Sequence, residues 1–394
     1  MPSRIAPYIA LACALFGLSS PLKADPIPGA HIQTAKLHSI IDDARLRQMI
    51  GQMVLVGFVG SEPDAEGYAR VVGQAEEGKI TGVIYLGRNI DSLKQVRQLN
   101  EGLQRFAATP LLIAVDQEGG RIQRLTGAIG FKETPSEATV ANSMSPAKAG
   151  VVYQNLASAL SDLGFNLNLA PVVDLNVNPA NPIIGKLGRS FSADPQTVEA
   201  YAKVFVEAHR AKGVLTALKH FPGHGSSTKD SHKGMADVSK TWSDKELLPY
   251  KNLIASGDVD MVMSAHVIND KLSFSNQIPS SLSRATLTGL LRDNMHFKGV
   301  VISDDMQMQA ITDNISFEDS VRRAVLAGND ILIFANDKHP DPLVPEKVAA
   351  FLSEEARKDP EMLERIQKSY ENVMRLKRKL APAVSQETTI VRER

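Results

Sequence analysis

Residues 218–234, LKHFPGHGSSTKDSHKG, concentrate side chains that could bind a metal or move protons. Three imidazoles and one carboxylate lie within this stretch: His220, His224, Asp230 and His232. Histidines four residues apart can bind zinc from one face of a helix, but Pro222 and Gly223 break helices. We therefore predict a loop, in which metal binding with Asp230 and His232 as further ligands stays an alternative.

Asp230 and His232 form the pair in this loop that suits acid–base catalysis. In an extended loop, side chains two residues apart can lie on the same side. The carboxylate could then orient the imidazole, fix its tautomer and raise its basicity. A solvated histidine beside a turn aspartate is the alternative, and the position of the loop in the fold decides between the two.

Two carboxylates end an apolar run farther along the chain, where GVVISDD closes with Asp304 and Asp305. Neighbouring strand residues face opposite ways, so one carboxylate can face a site while the other is structural. A carboxylate that faces a site could be a nucleophile or could stabilise a cation. We assign the structural role, as a helix cap, to Asp305.

Two further segments carry groups suited to binding a polyol. AVDQEGGRIQR, around a Gly-Gly turn, contributes two carboxylates and two guanidinium groups: Asp116, Glu118, Arg121 and Arg124. A carboxylate can accept two O–H hydrogen bonds, although Glu118 and Arg121 could equally serve in structural salt bridges. GRSF contributes Arg189, whose forked donors suit a hydroxyl, a carbonyl or a carboxylate.

The elements that would position these groups alternate along the chain. Apolar runs predict strands at 52–58, 82–86, 111–116, 165–174, 213–220, 259–267, 299–305 and 330–336. Amphipathic spacing predicts helices at 92–107, 147–163, 195–212, 243–256, 284–296 and 316–328. About eight β-then-α units predict an α/β fold of the (β/α)8 TIM-barrel type. An open doubly wound sheet is the alternative, but no G-x-G-x-x-G turn follows an early strand.

In such a barrel, catalytic groups lie at the carboxyl ends of the strands. Five of the predicted strands end in ionisable residues: Asp116, Asp174, Lys219 with His220, His266, and Asp304 with Asp305. We therefore expect these side chains to converge on one rim.

The composition argues against binding to nucleic acid or to a membrane surface. The chain has 394 residues, with 44 basic and 44 acidic side chains and a net charge of zero. Residues 1–24 have the layout of a signal peptide, with an apolar run too short to span a bilayer. We expect cleavage after Ala24, a periplasmic or secreted protein, and no disulfide, because the only cysteine is Cys13.

The motifs KHFPGHG with DSH, VDQEGGR, NPIIG with GRSF, MSAHV and GVVISDD occur in the order found in glycoside hydrolase family 3. Over positions 45–340 the chain resembles the β-N-acetylglucosaminidases of that family, in particular the single-domain bacterial NagZ type. The resemblance implies a metal-free enzyme without a cofactor. It would remove terminal β-linked N-acetylglucosamine from peptidoglycan fragments or chitooligosaccharides with retention of configuration.

The resemblance also implies roles for individual residues. Asp304 corresponds to the nucleophile, and His232, paired with Asp230, corresponds to the general acid/base. Five residues correspond to positions that hold the sugar: Asp116, Arg124, Arg189, Lys219 and His220. His224 corresponds to a motif histidine that we expect to support the loop.

We divide the chain into the signal peptide, a lead-in at 25–44, one barrel domain at 45–380 and a polar tail at 381–394, and we expect a monomer. Two departures from the family pattern affect the site. Ser226 and Ser227 follow Gly225 where relatives commonly have Asp-Thr, and the GKLGRSF segment that carries Arg189 is longer. A family 3 β-glucosidase, a phosphorylase and an inactive sugar-binding protein of the envelope stay alternatives.

Overall fold

The computed structural model describes residues 42–380. The predicted signal peptide, all but the end of the predicted lead-in, and the predicted polar tail lie outside the described residues. Within 42–380, no helix is both long enough and apolar enough to cross a membrane.

Eight parallel strands form a closed barrel. In chain order they are Val54–Gly57, Gly82–Tyr85, Leu112–Val115, Leu167–Asn168, Leu215–Phe221, Met261–Ser264, Val300–Asp305 and Ile331–Phe334. Each strand pairs with its neighbours in chain order, and Val54 pairs with Leu332 to join the first strand to the eighth. The predicted (β/α)8 barrel is confirmed, and every predicted strand overlaps an observed one.

Helices alternate with these strands. They are Asp43–Gly51, Glu66–Glu76, Leu93–Phe106, Glu137–Ser143, Pro146–Asp162, Pro195–Arg210, Leu248–Ala255, Asp270–Ser273, the wider Ala285–Asn294, Gln309–Thr312, Phe317–Ala327, Val344–Lys358 and Pro360–Lys377. The side chain of Asp194 accepts the backbone N–H of Thr197, and Pro195 is the first helical residue, as the sequence predicts. The helices at both ends of the described chain were not predicted.

Alternate strand residues point into the barrel and form its core. They include Leu112 and Ala114, Leu215 and Ala217, and Val300 and Ile302. Because strand side chains alternate, the next inward positions are those of Asp116, Lys219 and Asp304. The apolar interior therefore ends in charged groups at the carboxyl end of the barrel.

The last helix, Pro360–Lys377, closes the amino end. Val373 and Leu376 are buried in the same core cluster as the inward strand residues. Lys377 is buried beside them, and its Nζ donates to Gln52 Oε1 at 2.7 Å. Burial lowers the pKa of Lys377 to about 7.

Candidate active site

A cavity of about 360 Å³ lies at the carboxyl ends of the strands, and we call it the rim cavity. All the residues predicted for the site line it: Asp116, Arg124, Arg189, Lys219, His220, Asp230, His232 and Asp304. Apolar side chains, among them Ile84, Leu169, Met263 and Ile333, complete its wall. Segments far apart in sequence therefore converge on one concave site, as the strand ends predict.

Buried charges form one wall of the rim cavity. Lys219 Nζ lies 2.8 Å from Asp116 Oδ1 and 2.6 Å from Glu118 Oε1. Arg189 binds Glu118 through two bonds of 2.8 Å, and Arg124 donates to Asp116 Oδ2 at 3.2 Å. Burial alone would raise the pKa of both carboxyl groups, but these cations lower it, so both stay ionised. The result is a fixed array of donors and acceptors suited to sugar hydroxyls.

Glu118 belongs to this cluster, where it forms ion pairs with Arg189 and Lys219. Arg121 is exposed, whereas the side chain of Glu118 is 1% exposed and turns toward Arg189 and Lys219. The guanidinium group of Arg189 donates two parallel hydrogen bonds to Glu118 and a third to the carbonyl oxygen of Ile183. These three bonds fix the position of Arg189. The longer segment before Arg189 therefore still delivers this side chain to the cavity.

Asp174 organises the two histidines at the start of the glycine-rich loop. Its Oδ2 lies 2.7 Å from His220 Nδ1, and its Oδ1 accepts the backbone N–H of His224 at 2.7 Å. Asp174 is fully buried and lies outside the lining of the cavity. Sequence reasoning placed it at a strand end without a role, although its signal, an apolar run closed by a carboxylate, was the same as for Asp304.

The loop histidines contact different partners. His224 Nε2 lies 3.0 Å from Ser231 Oγ, and His232 Nδ1 lies 2.9 Å from Asp230 Oδ1. Within residues 42–380, no group of three His, Cys, Asp or Glu side chains is arranged to hold a metal ion. The spacing of the histidines thus reflects the path of a loop around Asp174.

Asp230 and His232, the predicted acid–base pair, lie on an exposed turn. The side chain of His232 is 56% exposed and that of Asp230 is 18% exposed. Asp230 also accepts the backbone N–H of His232 at 2.9 Å. Burial would raise the pKa of Asp230, but the backbone N–H and the imidazole of His232 lower it. Because Nδ1 of His232 is bound to Asp230, Nε2 is the nitrogen available to exchange a proton with a ligand.

Asp304 and Asp305 have different environments although they are adjacent. Burial raises the pKa of Asp305 to about 6. Burial acts in the same direction on Asp304, but nearby imidazoles, those of His266, His220 and His232, lower its pKa below the usual value. Asp304 therefore loses its proton at a lower pH than Asp305 does, and its side chain lines the cavity.

The structural role predicted for Asp305 takes a different form from a helix cap. Its carboxyl group accepts the backbone N–H of Gln307 at 3.1 Å and of Ala335 at 3.0 Å, and so it stabilises a turn and the neighbouring strand end. Its carbonyl oxygen lies 3.0 Å from His266 Nε2. His266, expected on the rim, is fully buried beneath it, with Nδ1 against Ser281 Oγ at 2.7 Å.

Comparison with known proteins places the same residues in a family. The family model described as "Glycosyl hydrolase family 3 N terminal domain" matches residues 45–376, which include every residue of the rim cavity. The chain is 34% identical over 273 residues to beta-hexosaminidase A of Pseudoalteromonas piscicida, covering 64% of this chain and 45% of that protein. It is 34% identical over 307 residues to a beta-hexosaminidase of Xylella fastidiosa (strain M23), covering 76% and 86%.

Among solved structures, a glycoside hydrolase family 3 beta-N-acetylglucosaminidase from Paenibacillus sp. str. FPU-7 superimposes with a TM-score of 0.77 at 32% identity. The match covers 88% of this chain and 66% of that one. The chain thus spans less than half the length of the Pseudoalteromonas relative and about two thirds of the Paenibacillus protein.

Proposed function

The chain belongs to glycoside hydrolase family 3, and we propose that it is an exported, retaining exo-β-N-acetylglucosaminidase. Its substrates would be peptidoglycan fragments or chitooligosaccharides with a terminal β-linked N-acetylglucosamine. The observation that carries the proposal is that Asp304 and His232 line one cavity whose wall also holds the charged cluster. The residues proposed as nucleophile, proton donor and sugar-binding wall thus share one space of ligand size.

In the first step, Asp304 attacks the anomeric carbon while His232 protonates the glycosidic oxygen. The bond to the leaving group breaks, and a glycosyl-enzyme forms. The lowered pKa of Asp304 keeps this carboxylate ionised for attack. Asp230, bound to Nδ1, holds the imidazole in place and stabilises its protonated form.

In the second step, the neutral His232 accepts a proton from water as the water oxygen attacks the anomeric carbon. The sugar leaves with its configuration retained, and Asp304 is free again. Most retaining glycosidases use a second carboxyl group for this proton transfer. An imidazole on a loop can do the same because its protonation changes near neutral pH.

The buried cluster would hold the sugar from the closed end of the cavity. Asp116 offers acceptors, and Lys219, Arg124 and Arg189 offer donors, so several hydroxyl groups can be bound at once. The barrel core lies beneath the cluster, and a polysaccharide therefore cannot pass through the cavity. That geometry favours removal of single sugars from a chain end.

The leaving group would lie beyond His232. A second cavity of about 310 Å³ shares His232, Asp305, Met308 and Asp337 with the rim cavity. His232 thus lies at the boundary between the two spaces, where the oxygen that it protonates must be.

The test compares two aryl N-acetylglucosaminides, one with an activated leaving group and one with a poor leaving group. Asp304→Asn should lower kcat on both by about 10⁴-fold or more with an unchanged Tm, because it removes the nucleophile. His232→Ala should slow the poor leaving group about 10²- to 10⁴-fold and the activated one far less. Substantial residual turnover by Asp304→Asn would refute the assignment of the nucleophile.

A product assay with the wild-type enzyme distinguishes the proposal from a β-glucosidase and from a phosphorylase. Mass spectrometry of products from purified peptidoglycan fragments and chitobiose should show free N-acetylglucosamine. Glucose release from glucosides, or sugar 1-phosphate formed when phosphate is added, would contradict the proposal. Export predicts a mature protein that begins at Asp25, which N-terminal sequencing of the periplasmic or secreted fraction checks.

A further inference from the structure

Glu246 is a buried acid behind the glycine-rich loop, and the mechanism above does not use it. The residue is 1% exposed. Its Oε2 accepts the backbone N–H of Gly225 at 3.0 Å, and Ser226 lies against the same carboxyl group. A carboxyl group buried this deeply is destabilising unless its hydrogen bonds offset the loss of water. The fold therefore holds the carboxyl group of Glu246 in a buried position although its desolvation is destabilising.

The turn that Glu246 contacts fits closely on two sides. A Cβ atom added to Gly223 would lie 2.7 Å from Glu246 Cβ, and Gly223 has a φ of +119° that favours glycine. A Cβ atom added to Gly225 would clash with the carbonyl oxygen of Leu175. Trp242, four residues before Glu246, donates its indole N–H to the carbonyl oxygen of Pro222 at 3.0 Å. The segment that carries Glu246 thus holds the turn at two points.

A short series of contacts leads from this turn to the acid–base pair. His224 lies between the two glycines, and its Nε2 contacts Ser231 Oγ at 3.0 Å. Ser231 is the residue between Asp230 and His232. Any change in the path of the turn therefore moves His224, and through Ser231 it moves the exposed His232.

We propose that Glu246 is a positioning residue for the acid–base loop: its carboxyl group anchors the turn at Gly225, and the His224–Ser231 contact transmits this anchor to Asp230 and His232. The inference rests on the proposed function, because it assumes that His232 is the general acid/base. It accounts for an acid that no step of the mechanism consumes. It also bears on Ser226 and Ser227, which replace the Asp-Thr of relatives. The carboxyl group beside Ser226 in this chain is that of Glu246.

The chemistry of the carboxyl group suits this role. Burial raises the pKa of Glu246 to about 7; the neighbouring Ser226 acts to lower it, and the nearby charge of Asp174 acts in the same direction as burial. Glu246 Oε1 and Ser226 Oγ are both buried, and neither has a hydrogen-bond partner among residues 42–380. In its protonated form the group can therefore accept from Gly225 and donate to Ser226 at the same time.

The test uses Glu246→Leu, which removes both hydrogen-bonding oxygens, and Glu246→Gln, which keeps the size and one acceptor. We expect Glu246→Leu to lower kcat on the poor leaving group by about 10²-fold and on the activated one by less than about fivefold. Glu246→Gln should recover most of the loss. Binding of N-acetylglucosamine to the rim cavity should be unchanged, because the charged cluster is untouched.

A double-mutant cycle with Ser231→Ala identifies the route. If Glu246 acts through His224 and Ser231, the double variant should lose no more than either single variant on the poor leaving group. Additive losses, or equal losses on both substrates, would overturn the proposal. If Glu246→Leu does not fold, Glu246→Asp takes its place in the cycle. Failure of the proposed function would appear separately, as a wild-type enzyme without N-acetylglucosaminidase activity.

Discussion

Two buried lysines occupy opposite ends of the barrel, and their surroundings differ in charge. Lys219, at the carboxyl end, contacts the carboxylates of Asp116 and Glu118. Lys377, at the amino end, contacts Gln52 Oε1 at 2.7 Å and Thr109 Oγ1 at 3.4 Å, both neutral. Burial lowers the pKa of both ammonium groups, but the two carboxylates raise that of Lys219 above its usual value, whereas that of Lys377 falls to about 7.

The difference shows which end of the barrel must stay charged. A buried ion pair adds little to stability compared with apolar packing of the same volume. The cluster around Lys219 is therefore best explained by ligand binding, which needs donors and acceptors fixed in advance. The amino end of the barrel, which we call the floor, binds no ligand in the proposed mechanism. There the ammonium group of Lys377 contacts only neutral partners.

The largest effect should come from Lys219→Met, which removes the ammonium group and keeps an apolar stem. Asp116 would retain only Arg124, and Glu118 only Arg189. We expect kcat/KM to fall about 10²- to 10³-fold and the free energy of unfolding to fall by about 2–4 kcal/mol. Steady-state kinetics and denaturant unfolding measure both. Lys377→Met is the matched control, and its kcat/KM should equal that of the wild type.

A gain in stability is the second expected effect, from Lys377→Met. In the folded state the pKa of Lys377 is about 7, below the unfolded value of 10.5, so between these values the unfolded chain binds more protons and the wild type gains stability as pH rises. The cost of the buried lysine is fully present below about pH 7. The variant should therefore be more stable by a few kcal/mol near pH 6, and less so near pH 10.

Denaturant unfolding of both proteins at several pH values checks this expectation. A gain that does not change with pH would mean that Lys377 is protonated to the same extent in the folded and unfolded states, so that folding does not lower its pKa and only packing has changed. Loss of activity in Lys377→Met would contradict the conclusion that the amino end of the barrel takes no part in ligand binding or catalysis.

The smallest effect should come from Gln52→Glu, which makes the floor resemble the rim. Gln52 Nε2 is buried and has no hydrogen-bond partner in the part of the chain that the structure describes, so a carboxylate removes an unsatisfied donor and gives Lys377 an anionic contact. We expect the pKa of Lys377 to rise while the free energy of unfolding at pH 7 changes by less than about 2 kcal/mol, because a buried pair nearly offsets its own desolvation. NMR titration of the lysine side chain reports the pKa, and an unchanged value would contradict the expected pairing.

The barrel and the ends of its strands were predictable because they follow from short-range patterns. Runs such as GVVISDD show apolar strands, and alternation alone places Asp304 on the same face as Val300 and Ile302. The same logic gives Asp116 and Lys219. These residues needed no knowledge of which segments meet, since every strand of a parallel barrel delivers its carboxyl end to one rim.

Partners across long sequence separations were not predictable. Glu118 has Arg121 three residues away, yet its side chain binds Arg189 and Lys219, which only the closed barrel brings near. Lys377 lies in an amphipathic helix, where a lysine usually marks the exposed face. Glu246 stands outside every motif, and only the folded turn at Gly225 reveals its contact.

The barrel of a newly made chain closes late. Val54 pairs with Leu332, and Leu376 of the last helix is buried in the barrel core, so the first strand lacks one of its two strand partners until almost the whole barrel has left the ribosome. Contacts that span so much sequence also form slowly. The nascent barrel therefore stays open through most of its synthesis, and in that state a chaperone can engage it.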